Sequence, residues 1–340
     1  MACIMFAFEK SLRVKRSIVN AGLTVIAAGC SLLLGEIAAR ALYPFLADYN
    51  LEMWRYGAEL KERLPDPRLP FHHYPNRGGT YYGVEIKTNS FGFRDREYSL
   101  TKPPGVYRIV TLGDSMTMGW GVPLDKTYAK VLEQRWNDAG RRIEVINLGI
   151  GNYNSVMETA LFQKKGLPLQ PDMVIVGYYV NDAEPTPVFS RWGRAIRAHT
   201  YLGAVIFDIH ARIRAFLDPR FDCGAYYQAL YRNGAPALES NRKALETLID
   251  LCREKGISLL LVNIPDIRDL ANPELQVGGR FLREVAATAN APFLDLWDAL
   301  QGHPPSDLWV SPSDPHLNAL GHALAAAAIF EKTERILSDR

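Results

Sequence analysis

The sequence predicts a three-layer α/β/α sandwich on a mostly parallel five-stranded sheet, preceded by one apolar helix at the amino terminus. Two patterns and the composition carry that expectation. From residue 107 onward, strand-like apolar runs at 107–112, 143–148, 173–179, 258–264 and 292–296 alternate with helical patterns at 127–139, 155–166, 239–255, 279–290 and 318–337. Strands separated by helices form parallel sheets covered on both faces. Near the amino terminus, Lys10, Arg13, Lys15 and Arg16 precede an uncharged stretch at 17–35. The whole chain of 340 residues is 48% apolar and 22% charged, enough for a sizeable core.

The first element is the apolar stretch. Nineteen helical residues reach roughly 28 Å, close to the hydrocarbon thickness of a bilayer. The run outlasts the apolar region of a cleaved signal peptide, and no small-residue cleavage site follows before the helical continuation at 36–42. An uncleaved anchor is expected, with residues 1–16 as a cytoplasmic basic tail and the remainder on the far side of the inner membrane, in the periplasm. Cys30 does not make a lipoprotein signal, because Ala27 stands where a larger aliphatic is usual and the apolar run continues past the cysteine.

Residues 36–84 are expected as a stalk and irregular lead-in, since Tyr43-Pro44, Pro65, Pro67, Pro70 and Pro75 interrupt any periodicity. Alternation at 79–98 suggests a short hairpin, followed by a turn at Asn89–Arg94. The main domain is expected over 85–340. Its rhythm breaks at 183–236, an insertion with apolar residues at helical spacing (Val205, Ile206, Ile209, Ile213, Phe216) that would either pack on the body or wall a cleft. Cys223 and Cys252 would pair only in an oxidising compartment.

Chemistry concentrates where the first strand stops. Ile109-Val110-Thr111-Leu112 ends in Gly113-Asp114-Ser115, which presents a hydroxyl at the carboxyl edge of the sheet. Such a serine needs a base, a group that orients the base, and donors for an oxyanion. His316 lies in a proline-bearing loop before the last helix, on the same expected edge, with Asp314 two residues earlier. The second strand closes in Gly149-Ile150-Gly151-Asn152, which offers backbone N–H groups, and the third in Val180-Asn181-Asp182, which offers an amide. Backbone N–H and side-chain amide together make an oxyanion pair.

These four segments resemble the four blocks of the SGNH, or GDSL-type, hydrolase superfamily, over roughly residues 85–337. The turn at 89–94 and the Gly119-Trp120-Gly121-Val122 tail are similar to membrane-anchored bacterial members. The resemblance implies a flavodoxin-like sheet and a serine esterase. In it Ser115 is nucleophile and first oxyanion donor, His316 the base and Asp314 its orienting acid. Gly151 or Asn152 supplies the second oxyanion donor and Asn181 the third. Two departures stand out. Asn152 occupies the usual place of the oxyanion glycine, and Ser313 the commoner place of the acid. Tyr179 stands where glycine is common in the third block.

The expected activity is hydrolysis of acyl esters, O-acetyl among them, on extracytoplasmic carbohydrate. The alternatives are acyl transfer to a glycan by the same serine, and a non-catalytic glycan-binding or assembly protein. No cofactor or metal is expected. Gly149-Ile150-Gly151 fails the dinucleotide pattern because Asn154 fills the third glycine position. His72 and His73 point apart on a strand, and His316 and His322 lack i,i+4 spacing. A net charge of +2 gives no footprint for nucleic acid. The expected partners are an acyl-ester substrate and the lipid bilayer.

Overall fold

The computed structural model describes residues 2–188, 200–218 and 223–338, with side chains from residue 15 onward and excepting that of Cys223. Five strands form the central sheet: β5 (Tyr107–Gly113), β6 (Ile143–Asn147), β7 (Met173–Tyr178), β8 (Ser258–Asn263) and β9 (Phe293–Asp295), numbered after four short strands of the lead-in. Their order is β6-β5-β7-β8-β9 and every pairing is parallel. Side chains alternate between the two faces, as the pleat requires. Val110, Leu112, Val174, Val176 and Leu261 join one core with the helices Ser155–Leu161, Pro236–Glu254 and Val277–Thr288. Ile109, Val145, Ile175, Leu260 and Val262 join the other with Tyr128–Asp138 and Ala319–Ser338. The expected three layers are present, and the sheet is wholly parallel.

The strand order reverses between β5 and β7, where β6 lies outside β5. An open parallel sheet leaves a crevice at the carboxyl ends beside such a reversal. The segments after β5, β6 and β7 all open there, which brings 113–119, 148–154 and 179–183 to one edge.

The amino-terminal helix α1 (Ala2–Leu46) runs well past the expected span. Within its Lys15–Leu46 portion an 18-residue window has a mean hydropathy of 1.9, and the portion is long and apolar enough to cross a membrane or to serve as a signal sequence. Ile18, Val25, Leu34 and Phe45 are among its exposed apolar side chains.

Within the expected stalk and lead-in of 36–84, residues 49–73 carry regular elements, and the hairpin expected from residue 79 is present at 78–87. Helix α2 (Tyr49–Leu60) follows, capped by Asp48, whose carboxylate accepts the Leu51 N–H at 3.0 Å. Two antiparallel hairpins come next, β1 (Lys61–Arg63) with β2 (Phe71–His73) and β3 (Gly78–Tyr81) with β4 (Val84–Lys87). The prolines that broke the pattern mostly lie in the β1–β2 connection. The buried face of α2 includes Glu52, which is paired with Arg55 at 3.0 Å and accepts the Tyr82 N–H at 2.6 Å. A charged residue satisfied inside the fold hides the amphipathic stripe from a sequence reading.

Of the 183–236 segment, residues 189–199 and 219–222 lie outside the described residues. The described part includes the helices Tyr201–Leu217 and Cys223–Leu230. The first packs on α1 and α2: Glu36 accepts the Tyr201 and Leu202 N–H groups at 3.1 and 2.9 Å, and Asn50 donates to Asp208 at 3.1 Å. The Cys223–Cys252 pairing is not made. Cys252 is a free thiol, buried in the core beneath its helix.

Candidate active site

Strand β5 enters the site through Gly113, at φ +154°. A Cβ there would collide with the Thr117 side chain and come within 2.8 Å of the Gly177 carbonyl, so only glycine fits. Asp114 then caps a single helical turn at Ser115–Met118, accepting the Met116 N–H at 2.8 Å. Asn147, at the end of β6, donates to the Thr117 carbonyl at 2.8 Å. The turn is held from the far side by Arg94. Its guanidinium donates to the carbonyls of Met118, Gly119, Glu85 and Val122, which accounts for the turn at 89–94.

Ser115 meets His316 here. Ser115 Oγ lies 2.8 Å from His316 Nε2, and His316 Nδ1 lies 2.6 Å from Asp314 Oδ1. The three side chains are buried, with Ser115 only 3% exposed. A proton on Nδ1, donated to the carboxylate, leaves Nε2 free to accept the serine O–H. Residues 314–317 form a strand, β11 (Asp314–Leu317), paired with β10 (Trp309–Ser311), where a loop was expected. The two-residue spacing works for that reason: alternate side chains of a strand share a face. Asp314 is completed by Trp120, whose Nε1–H donates to Oδ2 at 2.8 Å.

The expected oxyanion groups are distributed unevenly. The Ser115 N–H, in the first turn of its helix, has no partner among the described residues. The Gly151 N–H is consumed, donated to Tyr56 Oη at 3.1 Å. Asn152, at φ +63°, keeps a backbone N–H with no partner among the described residues, and its side chain accepts from Lys61 Nζ at 2.9 Å. Asn181 turns its amide to Asp114 Oδ2 at 2.8 Å, while its own carbonyl oxygen is buried without a hydrogen bond.

Several buried ionisable groups surround this centre. Burial raises the Asp114 carboxyl above its ordinary range, against the Met116 N–H and Asn181 amide. Glu158 and Asp182 are pushed well above theirs, first by desolvation and then by neighbouring carboxyls. His322 donates nothing at Nδ1, which accepts the Tyr128 N–H at 3.2 Å, and burial lowers its ring to about 3. Asn318 caps the last helix through the Gly321 N–H at 3.1 Å. Among the described residues no group of three His, Cys, Asp or Glu side chains could hold a metal ion.

Sequence reasoning missed the residues that cover and brace the centre. Tyr49, the first residue of α2, lies with its ring centroid 5.1 Å from that of His316. Tyr56 and Lys61 reach the Gly151–Asn152 turn from the lead-in. Trp120 was visible only as part of a motif. No local signal marks the first three, because their partners lie far along the chain.

Comparison with known proteins follows the same lines. Residues 111–324 match the family model described as GDSL-like Lipase/Acylhydrolase. A search of curated proteins finds no match. Solved structures to which this chain is similar include TesA, at 14% identity over 67% of this chain and 98% of that one, with a TM-score of 0.45. A psychrotrophic esterase from Pseudoalteromonas sp. aligns at 15% identity over 68% and 98% of the two chains, TM-score 0.43. A lipase/acylhydrolase from Enterococcus faecalis does so at 18% identity over 67% and 96%, TM-score 0.43. With the matched family model spanning the β5 turn, the Asn181 segment and β11, the chain belongs to the GDSL-like lipase/acylhydrolase family and is an ester-bond hydrolase.

Proposed function

We propose that the chain cleaves acyl esters, O-acetyl among them, by a covalent serine mechanism, and that its substrate is carbohydrate outside the cytoplasm. The chain Ser115 Oγ–His316 Nε2–Asp314 carries this reading, at 2.8 and 2.6 Å. In it, His316 Nε2 takes the Ser115 proton as Oγ attacks the acyl carbonyl, and Asp314 stabilises the imidazolium that forms. The proton passes to the leaving alcohol oxygen as the tetrahedral intermediate collapses. Water, deprotonated by the same ring, then releases the acid and restores the serine. The carbonyl oxygen, negative in the intermediate, is taken by the N–H groups of Ser115 and Asn152 and by the Asn181 amide. Asn152 is preferred to Gly151 because the Gly151 N–H already serves Tyr56.

The extracytoplasmic placement rests on the basic residues that precede α1 and on its apolar length. In this reading α1 is an uncleaved anchor in the inner membrane, and the domain that follows is periplasmic. Turnover of small acyl esters by the full chain in detergent, set against Ser115→Ala, tests the chemistry. Equal rates would refute it.

The cover over Ser115 favours one further reading, acyl transfer to a glycan hydroxyl. Tyr49 sits on His316, and a site shielded from bulk water prolongs an acyl-enzyme until a hydroxyl acceptor arrives. Given an acyl donor and an oligosaccharide, a transferase makes acylated sugar faster than free acid.

A further inference from the structure

The Gly151–Asn152 part of the turn that follows β6 is held by two residues of the lead-in, Lys61 and Tyr56. Lys61 Nζ donates to the Gly151 carbonyl at 2.5 Å and to Asn152 Oδ1 at 2.9 Å. The ammonium also lies over the rings of Tyr56 and Phe71, 4.7 and 4.5 Å from their centroids. On the opposite side Tyr56 Oη accepts the Gly151 N–H at 3.1 Å. The Gly151 N–H can only donate, and the hydrogen of the Tyr56 hydroxyl is directed away from it by a relay. His73 Nδ1 donates to the Gly92 carbonyl at 3.1 Å, so its Nε2 is an acceptor and takes the Tyr56 O–H. Tyr56 is then left with lone pairs for Gly151. Burial keeps His73 neutral, in keeping with one accepting nitrogen.

The rest of the turn is also spoken for. Gly149 N–H donates to Asn147 Oδ1 at 2.9 Å, Ile150 N–H to the Gly113 carbonyl at 3.1 Å, and Tyr153 N–H to the Ile150 carbonyl at 3.1 Å. Between 149 and 153 the Asn152 N–H alone has no partner among the described residues.

We propose that Lys61 and Tyr56 are positioning residues that clamp the Gly151–Asn152 turn so that the Asn152 N–H is the group presented to the oxyanion. This rests on the esterase reading above. Lys61 holds the carbonyl of the peptide between residues 151 and 152 and the Asn152 side chain, while Tyr56 holds the N–H of the preceding peptide; with its carbonyl pinned, the planar 151–152 peptide keeps its N–H, trans to that carbonyl, in one direction. The lysine serves in either protonation state, because a neutral amine still offers two N–H donors; desolvation pulls it down to about 7. The clamp belongs to α2 and β1, so the lead-in forms part of the reactive centre.

The experiment uses the full chain in detergent and two matched probes, a p-nitrophenyl ester and its thionoester. Oxyanion donors hydrogen-bond oxygen better than sulfur, so the ratio of the two rates reports the donors and not the general state of the fold. Lys61→Met is expected to lower kcat for the oxygen ester on the order of tenfold with KM little changed, less than the 10²–10³ lost when a donor itself is removed. The oxygen-to-sulfur rate ratio falls with it. Lys61→Arg, which can serve both acceptors, recovers part of both. Lys61→Gln, which keeps one donor group in a similar volume, falls between and covers the case in which Lys61→Met is poorly folded. An unchanged ratio in Lys61→Met and Lys61→Gln overturns the clamp, whatever happens to overall rate. A parent chain whose turnover is indifferent to Ser115→Ala overturns the esterase reading, and the clamp with it.

Discussion

Replacing Asp314 by asparagine sets up a conflict that its surroundings make unavoidable. The carboxylate is fully buried and accepts three hydrogen bonds, from Trp120 Nε1–H at 2.8 Å, His316 Nδ1–H at 2.6 Å and the His316 backbone N–H at 3.1 Å. An amide offers one acceptor and one donor group. With its oxygen toward His316, its NH2 faces the Trp120 N–H. With its oxygen toward Trp120, its NH2 faces the His316 backbone N–H and selects the tautomer protonated at Nε2, which cannot accept from Ser115. Either arrangement strands a buried donor, at about 1–3 kcal/mol. Asp314→Asn is therefore expected to lose that much stability and about 10⁴-fold in turnover. Adding Trp120→Phe removes one side of the conflict. The amide oxygen then settles toward His316 and holds the proton on Nδ1. At 1.36 kcal/mol per factor of ten, the same 1–3 kcal/mol restores roughly 5- to 150-fold in kcat/KM relative to Asp314→Asn. Trp120→Phe alone should lower activity, so recovery in the double variant is a reversal of sign. Ester kinetics paired with thermal unfolding measure it, and a double variant no more active than Asp314→Asn refutes the reasoning.

Three further outcomes follow from the same geometry. In Gly151→Ala the new methyl lies 2.8 Å from the Tyr56 ring, which is itself wedged against Trp120 and Tyr81, so the turn must shift. Overpacking of about 1–3 kcal/mol and at least a tenfold loss of kcat are expected, read by urea unfolding and ester assay. Arg94→Lys replaces a fork serving four carbonyls by a point charge and is expected to cost about 2–3 kcal/mol in denaturant melts, with no change in KM. His322 is held neutral in the fold down to about 3, whereas the unfolded ring protonates near its ordinary value. The unfolded state thus binds more protons in that window, and acid favours it. Between about pH 6 and 4 the wild type should lose about 1.4 kcal/mol per pH unit relative to His322→Asn, and parallel slopes would count against this.

The central sheet was legible because its strands are apolar on both faces and end in glycine or asparagine turns. Ser115, Asn181 and His316 could be assigned to one edge from the chain order alone. What the residues could not show was how two positions in a row would be used. Whether Gly151 or Asn152 keeps a free N–H depends on Tyr56, 95 residues away. Asp314 was likewise readable as a candidate, but its geometry depends on pairing between β10 and β11, which a loop containing two prolines does not advertise. Helix α2 escaped notice because Glu52 is buried and paired, so its inner face does not look apolar.

The junction between α1 and α2 has a consequence for where the enzyme can work. Only Ala47 and Asp48 separate the exposed apolar helix from Tyr49, the residue resting on His316. Three residues span at most about 10 Å, and the part of α1 beyond the 17–35 span adds roughly 16 Å of rigid helix packed on the domain. With α1 in a bilayer, the reactive serine has no tether to pay out and cannot sweep the space beyond the membrane. It would then sample only esters that come near the lipid surface. Turnover would then scale with the number of substrate groups per unit of membrane area, and a soluble ester in bulk would be a poor guide to the rate the enzyme reaches in place.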